Sequence, residues 1–110
     1  MHGQQQHSPL LNEIIRRLVN TGHPRRIVLF GSRARGTGHP HSDHDLLIIA
    51  DSTEPNYKRP VPYYLALSDL PAHVDIVVYT PEEVESSRST AYSLVTTALR
   101  EGVTLYEQAA

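Results

Sequence analysis

Residues 27–50 read IVLFGSRARGTGHPHSDHDLLIIA, in which two short apolar segments enclose a polar stretch rich in glycine, arginine and histidine. Both segments are too short and too continuously apolar for a surface helix, so we predict two buried strands, at residues 27–30 and 45–50. The stretch between them, residues 31–44, has room for at most one short helix at its start. Both strands point at this stretch, and we expect the chemistry of the chain there.

Helices and one further strand are predicted around this centre. After Pro9, apolar residues recur at the three-and-four spacing of one helical face, and this helix is expected to end at residues 20–22. A short helix is predicted over residues 63–70, a third strand over residues 74–79, and a final helix over residues 92–100.

The sequence TPEE at residues 80–83 starts another helix, because it combines an N-cap hydroxyl, a proline and an acidic first turn. The alternation of helices and strands predicts an α/β fold with a small, mixed three-stranded sheet flanked by about four helices. No repeat or long linker divides the chain. We therefore predict one domain over residues 9–107, preceded by a flexible N-terminus of residues 1–8.

The composition suits one small domain with a single core, since the chain has 110 residues, 39% of them apolar, and no cysteine. The longest uncharged apolar run, residues 46–50, is far shorter than the roughly 20 residues of a membrane-spanning helix. The N-terminus lacks the apolar core of a signal peptide, so we expect a cytoplasmic protein that stays out of membranes. Without cysteine, any metal ion needs carboxylate or histidine ligands.

The formal net charge of −2 is unevenly distributed along the chain. Residues 1–42 carry six arginines and one acidic residue, whereas residues 43–110 carry four basic and eleven acidic residues. A nucleic-acid-binding protein usually has a larger basic surface. The arginines therefore suggest local anion binding near one site, and binding to bulk nucleic acid is not expected.

Gly31 and Ser32 end the first predicted strand where a helix could begin. Such a turn offers free backbone N–H groups and a hydroxyl, which are the groups that bind a phosphate. Arg33 and Arg35 add cationic donors beside it. The sequence predicts a phosphate-binding turn here, with an ordinary strand-ending turn as the alternative.

Three aspartates accompany this turn. Asp43 and Asp45 stand two positions apart at the head of the second predicted strand, so their side chains are expected on one face, about 7 Å apart along the chain. Asp75 interrupts the apolar third strand, where a buried unpaired charge would cost roughly several kcal/mol. Three neighbouring carboxylates repel one another unless a hard cation joins them. In the alternative interpretation, Asp43 is a cap beside Ser42, Asp45 is a strand-edge charge and Asp75 pairs with an arginine such as Arg26.

Mg²⁺ is the cation that such oxygen ligands fit, and two ions about 3.5–4 Å apart would support two-metal phosphoryl chemistry. One ion would activate an attacking oxygen while the other holds a triphosphate. We interpret the site as one for nucleotidyl transfer, in which a hydroxyl attacks the α-phosphate of ATP in line and pyrophosphate leaves. The third carboxylate, Asp75, would accept the proton of that hydroxyl.

The same residues resemble the active-site signature of the DNA polymerase beta nucleotidyltransferase superfamily. Its pattern is matched by Gly31-Ser32, ten intervening residues, Asp43-x-Asp45 and a later Asp75. This spacing of glycine, serine and three aspartates is a specific signal. The resemblance implies the nucleotidyltransferase fold.

The chain is most similar to the minimal nucleotidyltransferases of that superfamily. Residues 30–36, 42–47 and 74–77 are similar nearly residue for residue, residues 98–107 are typical of the group, and the likeness covers about residues 10–107. The resemblance implies that Asp43 and Asp45 bind both catalytic metals and that Asp75 completes the site as ligand and base. The Gly-Ser-Arg turn would hold the phosphates of ATP.

Members of this group are often encoded beside a helical HEPN-domain protein, in toxin–antitoxin pairs where the nucleotidyltransferase adds AMP to a tyrosine of the toxin. The resemblance therefore implies a HEPN-type toxin as acceptor and an antitoxin role for this chain. Size agrees with an external acceptor, because only about thirty residues follow the three predicted strands, too few for an acceptor-binding domain. The acceptor site would come from a partner chain or from a homodimer.

Three histidines depart from the family pattern: His44 stands between two aspartates, and His39 and His41 precede them. They could hold zinc together with Asp43, touch a nucleotide, or titrate in solvent without a role. Two other functions also stay open. One is adenylyl transfer to a small hydroxylated molecule such as an aminoglycoside, and the other is neutralisation of a partner by contact alone.

Overall fold

The computed structural model describes residues 8–31, 43–89 and 93–109. In chain order these residues form helix α1 (Pro9–Gly22), strands β1 (Arg26–Phe30) and β2 (His44–Ile49), helix α2 (Val61–Ala66), strand β3 (Val74–Tyr79), helices α3 (Pro81–Ser87) and α4 (Leu94–Glu101), and strand β4 (Val103–Glu107). The predicted α/β class is confirmed.

The sheet has the strand order β3-β2-β1-β4. Strand β1 is antiparallel to both β2 and β4, whereas β2 and β3 are parallel, so the sheet is mixed as predicted. It has four strands in the described part of the chain, and the prediction of three missed β4. This strand begins directly after Gly102 and pairs with β1 from more than seventy residues away in sequence, with a register shift between Ile27 and Val28. Single-sequence periodicity does not reveal such a partner.

Among the described residues, two helices cover each face of the sheet. On one face, α1 and the α2 region contribute the buried residues Leu11, Ile14, Leu18, Tyr63 and Leu67. On the other face, Ala98 of α4 is buried against the strands, and Val84 of α3 packs at the margin. Successive strand residues point to opposite faces, so residues of one strand contribute to both cores.

Side-chain caps fix two helix starts. The hydroxyl of Ser8 accepts the backbone N–H of Leu11 at 3.1 Å, and Pro9 follows as the first residue of α1. Thr80 and Glu83 form a reciprocal capping box at α3, in the TPEE sequence where a helix start was predicted.

Several element bounds differ from those predicted. Helix α2 starts earlier than the predicted residues 63–70, because the proline-containing segment at residues 60–62 lies in its first turn. Helix α4 starts at Leu94 after an N-cap at Ser93. Except for Ser8, the N-terminus predicted to be flexible lies outside the described residues, and the domain limits 9–107 stay a prediction.

Over the described ranges 8–31, 43–89 and 93–109, every helix is too short or too polar to cross a lipid bilayer.

Candidate active site

One end of the sheet gathers the end of β1 and the starts of β2 and β3. In the antiparallel β1–β2 pair Phe30 lies opposite Asp45, and in the parallel β2–β3 pair Asp45 lies beside Asp75. Adjacent strands are about 4.8 Å apart, and registered residues point to the same face. The backbone therefore brings the predicted residues Asp45 and Asp75 together without any choice of side-chain rotamer.

Asp43 precedes β2 and joins this pair through Asp75. The two carboxyl groups lie close enough to interact directly. The pKa of Asp75 is raised above its ordinary value by partial loss of hydration, by this interaction and by the negative charges of Asp43 and Asp45. The three predicted carboxyl groups thus interact with one another.

Gly31 packs against the carboxylate of Asp45 at the end of β1. Its φ angle is +79°, in the left-handed region that glycine adopts most readily. A Cβ atom at this position would overlap Oδ2 of Asp45. The positive φ angle favours glycine here, and the close approach of the Asp45 carboxylate leaves no space for a Cβ atom.

Asp75 is exposed, so the prediction that it is buried inside the sheet is wrong. It is the second residue of β3, which is an edge strand, and solvent reaches it from the open side. The alternative pairing of Asp75 with Arg26 is not observed. Arg26 lies at the opposite end of β1 and donates to the hydroxyl of Thr104 at 2.7 Å.

The three carboxylates supply oxygen donors of the kind that Mg²⁺ prefers, and their mutual repulsion is what a cation relieves. In the described residues, however, no three histidine or acidic side chains are placed as the ligand set of one metal ion. The described carboxylates fit Mg²⁺ in donor type and in backbone register.

Several predicted residues lie outside the described part of the chain: Ser32, Arg33, His39 and His41. The phosphate-binding turn is therefore represented by Gly31 alone, and the proposed zinc site cannot be assembled from described residues. His44 is buried as the first residue of β2 and is not a solvent-exposed loop histidine.

A cavity of about 300 Å³ opens beside Asp43 and Asp75. The end of α2, the turn after it and the start of β3 supply further lining residues, among them Tyr64, Leu67, Ser68, Leu70 and His73. The cavity therefore reaches two of the three predicted carboxylates from the open edge of the sheet.

Ser68 and His73 were not singled out in the sequence, although His73 stands two positions before Asp75. In extended chain this spacing puts two side chains on the same side. The sequence left Tyr63 and Tyr64 undecided between core and interface. The structure separates them, since Tyr63 is buried and Tyr64 is exposed at the cavity.

Comparison with solved structures finds similar chains. One, at 28% identity, comes from a toxin–antitoxin complex with AMP-PNP, with 88% of this chain and 73% of that chain covered at a TM-score of 0.64. Another, at 27% identity, comes from a variant of the MntA–HpeT toxin–antitoxin complex, with 94% and 75% covered and a TM-score of 0.56.

A protein from Sulfolobus solfataricus, provisionally assigned as a nucleotidyltransferase, shares the fold at 20% identity, with 90% of this chain and 78% of that chain covered and a TM-score of 0.63. Comparison with curated protein sequences gives no match. The family model described as nucleotidyltransferase domain matches residues 10–97, which include the carboxylate end of the sheet and most of its scaffold. The chain therefore belongs to the nucleotidyltransferase domain family.

Proposed function

We propose that this chain is a Mg²⁺-dependent adenylyltransferase that moves AMP from ATP to a hydroxyl group of a HEPN-type toxin, and so acts as an antitoxin. The observation that carries the proposal is the register of Asp45 beside Asp75, with Gly31 held against Asp45. The structurally similar chains from toxin–antitoxin complexes support a protein partner, and the AMP-PNP in one of those complexes supports ATP as the nucleotide.

Each site residue has a distinct role in this proposal. Asp43, Asp45 and Asp75 would hold two Mg²⁺ ions, which when bound neutralise phosphate charge and favour ionisation of the attacking hydroxyl. The backbone of Gly31, with Ser32 and Arg33 after it in sequence, would bind the phosphates of ATP.

The reaction balances with these groups. The acceptor oxygen forms a bond to the α-phosphorus, the bond from that phosphorus to the bridging oxygen of the β-phosphate breaks, and pyrophosphate leaves with the electron pair. Asp75 takes the acceptor proton.

A test compares the same substitution at the two ends of β2. We expect Asp45→Asn to lower transfer of labelled AMP from α-labelled ATP to the co-expressed partner by at least about 100-fold, the scale of a lost charge-stabilising group. Asp51→Asn, at an exposed aspartate beyond the other end of β2, should leave transfer unchanged.

Binding can be measured without an acceptor. Mg²⁺ with ATP at about 100 times Kd should stabilise the folded chain by about 2.7 kcal/mol, whereas ATP with EDTA should not. Transfer to an aminoglycoside instead of a protein would favour the small-molecule alternative. Toxin neutralisation that survives Asp45→Asn would favour inhibition by contact.

A further inference from the structure

We infer that the cavity beside Asp43 and Asp75 is the acceptor site, and that it receives one hydroxyl-bearing side chain of a partner protein. The inference rests on the proposed function and adds where the acceptor enters. It assigns Tyr64, Ser68 and His73 to binding of that side chain.

The first argument is the geometry of displacement. An in-line reaction requires the attacking oxygen and the leaving pyrophosphate to lie on opposite sides of the α-phosphorus. Gly31 contacts Asp45, whereas the cavity reaches Asp43 and Asp75, and neither Gly31 nor Asp45 is among the described residues that line it. With the phosphates at Gly31, the attacking hydroxyl approaches from the cavity.

The second argument is size. The cavity of about 300 Å³ stands at the lower limit of the roughly 300–1,000 Å³ typical of small-molecule sites. Such a volume admits a single amino-acid side chain. A multi-ring aminoglycoside would extend well beyond it.

The third argument is the chemistry of the walls. The hydroxyl of Tyr64 accepts the backbone N–H of Ile76 at 2.8 Å, which fixes it beside Asp75 while its own O–H can still donate. The hydroxyl of Ser68 donates to the carbonyl of Leu65 at 3.0 Å, which leaves its oxygen as an acceptor. A hydroxyl on the occupant finds donors and acceptors here, with Asp75 as the proton acceptor.

The fourth argument is the surface around the mouth. Val61 and Leu65 are 50% and 69% exposed, and Tyr64 is 40% exposed. Their spacing puts them on one side of α2, in line with Ser68 in the following turn. An exposed apolar surface continuous with a cavity indicates a protein occupant, because a free small molecule would not cover it.

The chain contains no cysteine, which allows a cavity-blocking experiment with a single thiol. Ser68→Cys and Ser86→Cys place that thiol at two exposed serines, the first in the cavity and the second on α3. Each folded variant is alkylated with N-ethylmaleimide. Transfer of labelled AMP is then measured to two probes, N-acetyl-L-tyrosinamide and N-acetyl-L-serinamide, together with the Tm shift caused by Mg²⁺ and ATP.

We expect the adduct at position 68 to lower probe transfer by at least about tenfold through a higher KM for the probe, because the acceptor is no longer positioned. The KM for ATP and the Tm shift should not change, and the adduct at position 86 should affect neither. Unchanged probe transfer with the position-68 adduct would overturn the inference and leave the proposed function standing. So would binding of Mg²⁺ and ATP without transfer to either probe. Failure to bind Mg²⁺ and ATP would contradict the proposed function, and the inference with it.

Discussion

Charged side chains are paired with opposite charges at one end of the sheet and grouped with like charges at the other. Beyond the end of β2, Asp51 pairs with Arg25 at 2.9 Å, and beyond the end of β3, Glu83 pairs with Arg59 at 2.7 Å. At the other end, three carboxyl groups lie together, and partial loss of hydration and the neighbouring carboxylates raise the pKa of Asp75. Opposite charges stabilise a fold and like charges do not, so the grouped carboxylates support the proposal of a cation site at this end.

Arg59 belongs to the end of the sheet where charges are paired. Its side chain is 10% exposed, donates to both carboxylate oxygens of Glu83, and also donates to the carbonyls of Glu54 and Val78. The hydrogen bond from Arg59 is the main cause of the lowered pKa of Glu83. Because β3 is an edge strand, the bond to Val78 also covers an open backbone group.

The largest effect on AMP transfer is expected from a substitution at Gly31, which lies at the carboxylate end of the sheet. Gly31→Ala adds a Cβ atom that overlaps Asp45 at a positive φ angle. It should destabilise the fold by about 1–2 kcal/mol and lower AMP transfer by about 100-fold, since a displacement of 1 Å at the reacting groups has that effect. Chemical denaturation and the labelled-ATP assay measure the two quantities.

His23 provides the matched control, because it precedes β1 as Gly31 follows it and also has a positive φ angle, +48°. His23→Gly relieves backbone strain at the end of α1 and should stabilise the fold by about 0.5–1 kcal/mol without changing transfer. Equal losses of activity from both substitutions would contradict a special role for Gly31.

Arg59→Met removes the ion pair with Glu83 at the opposite end of the sheet. It should lower the free energy of unfolding by about 2–3 kcal/mol, because it leaves the carboxylate of Glu83 and the carbonyl of Val78 without this donor. Arg25→Met removes an exposed ion pair and should change stability by less than about 1 kcal/mol. Urea midpoints compare the two variants. Similar costs would mean that burial does not distinguish the two arginines.

Much of the carboxylate end could be predicted from sequence because its signals are local. One apolar run ends before Gly31 and the other begins at Asp45, and both strands predicted from them agree with the observed bounds within one residue. The third strand, residues 74–79, was predicted with its exact bounds. The spacing of Asp43, Asp45 and Asp75 then indicated a common site, and the register of β2 and β3 brings Asp45 beside Asp75.

The rest depends on contacts between distant parts of the chain. Strand β4 forms by pairing with β1, and the exposure of Asp75 follows from the position of β3 at the sheet edge. The cavity requires α2 to pack beside the start of β3, and Tyr64 does so through its bond to Ile76. No local pattern at Ser68 or His73 encodes that arrangement.

The smallest predicted effect is the change in stability when one carboxylate at each end of the sheet is neutralised. The pKa of Asp75 is raised in the folded chain above its unfolded value of about 3.9. The folded state therefore binds this proton more tightly, and the stability gained is present below about pH 3.9 and lost as the pH rises through the folded pKa. Near pH 7 without Mg²⁺, ionised Asp75 opposes folding.

Asp75→Asn should then stabilise the metal-free chain near pH 7 by about 0.5 kcal/mol, a small amount because the group is exposed and screened. The gain should disappear as the pH falls towards 4 and should shrink in high salt. Asp51→Asn removes an attraction to Arg25 and should be neutral or slightly destabilising under the same conditions. Urea midpoints across pH measure both. A gain of stability from Asp75→Asn with no gain from Asp51→Asn is expected if one end of the sheet is arranged for stability and the other for a cation. A loss of stability from Asp75→Asn near pH 7 would contradict that arrangement.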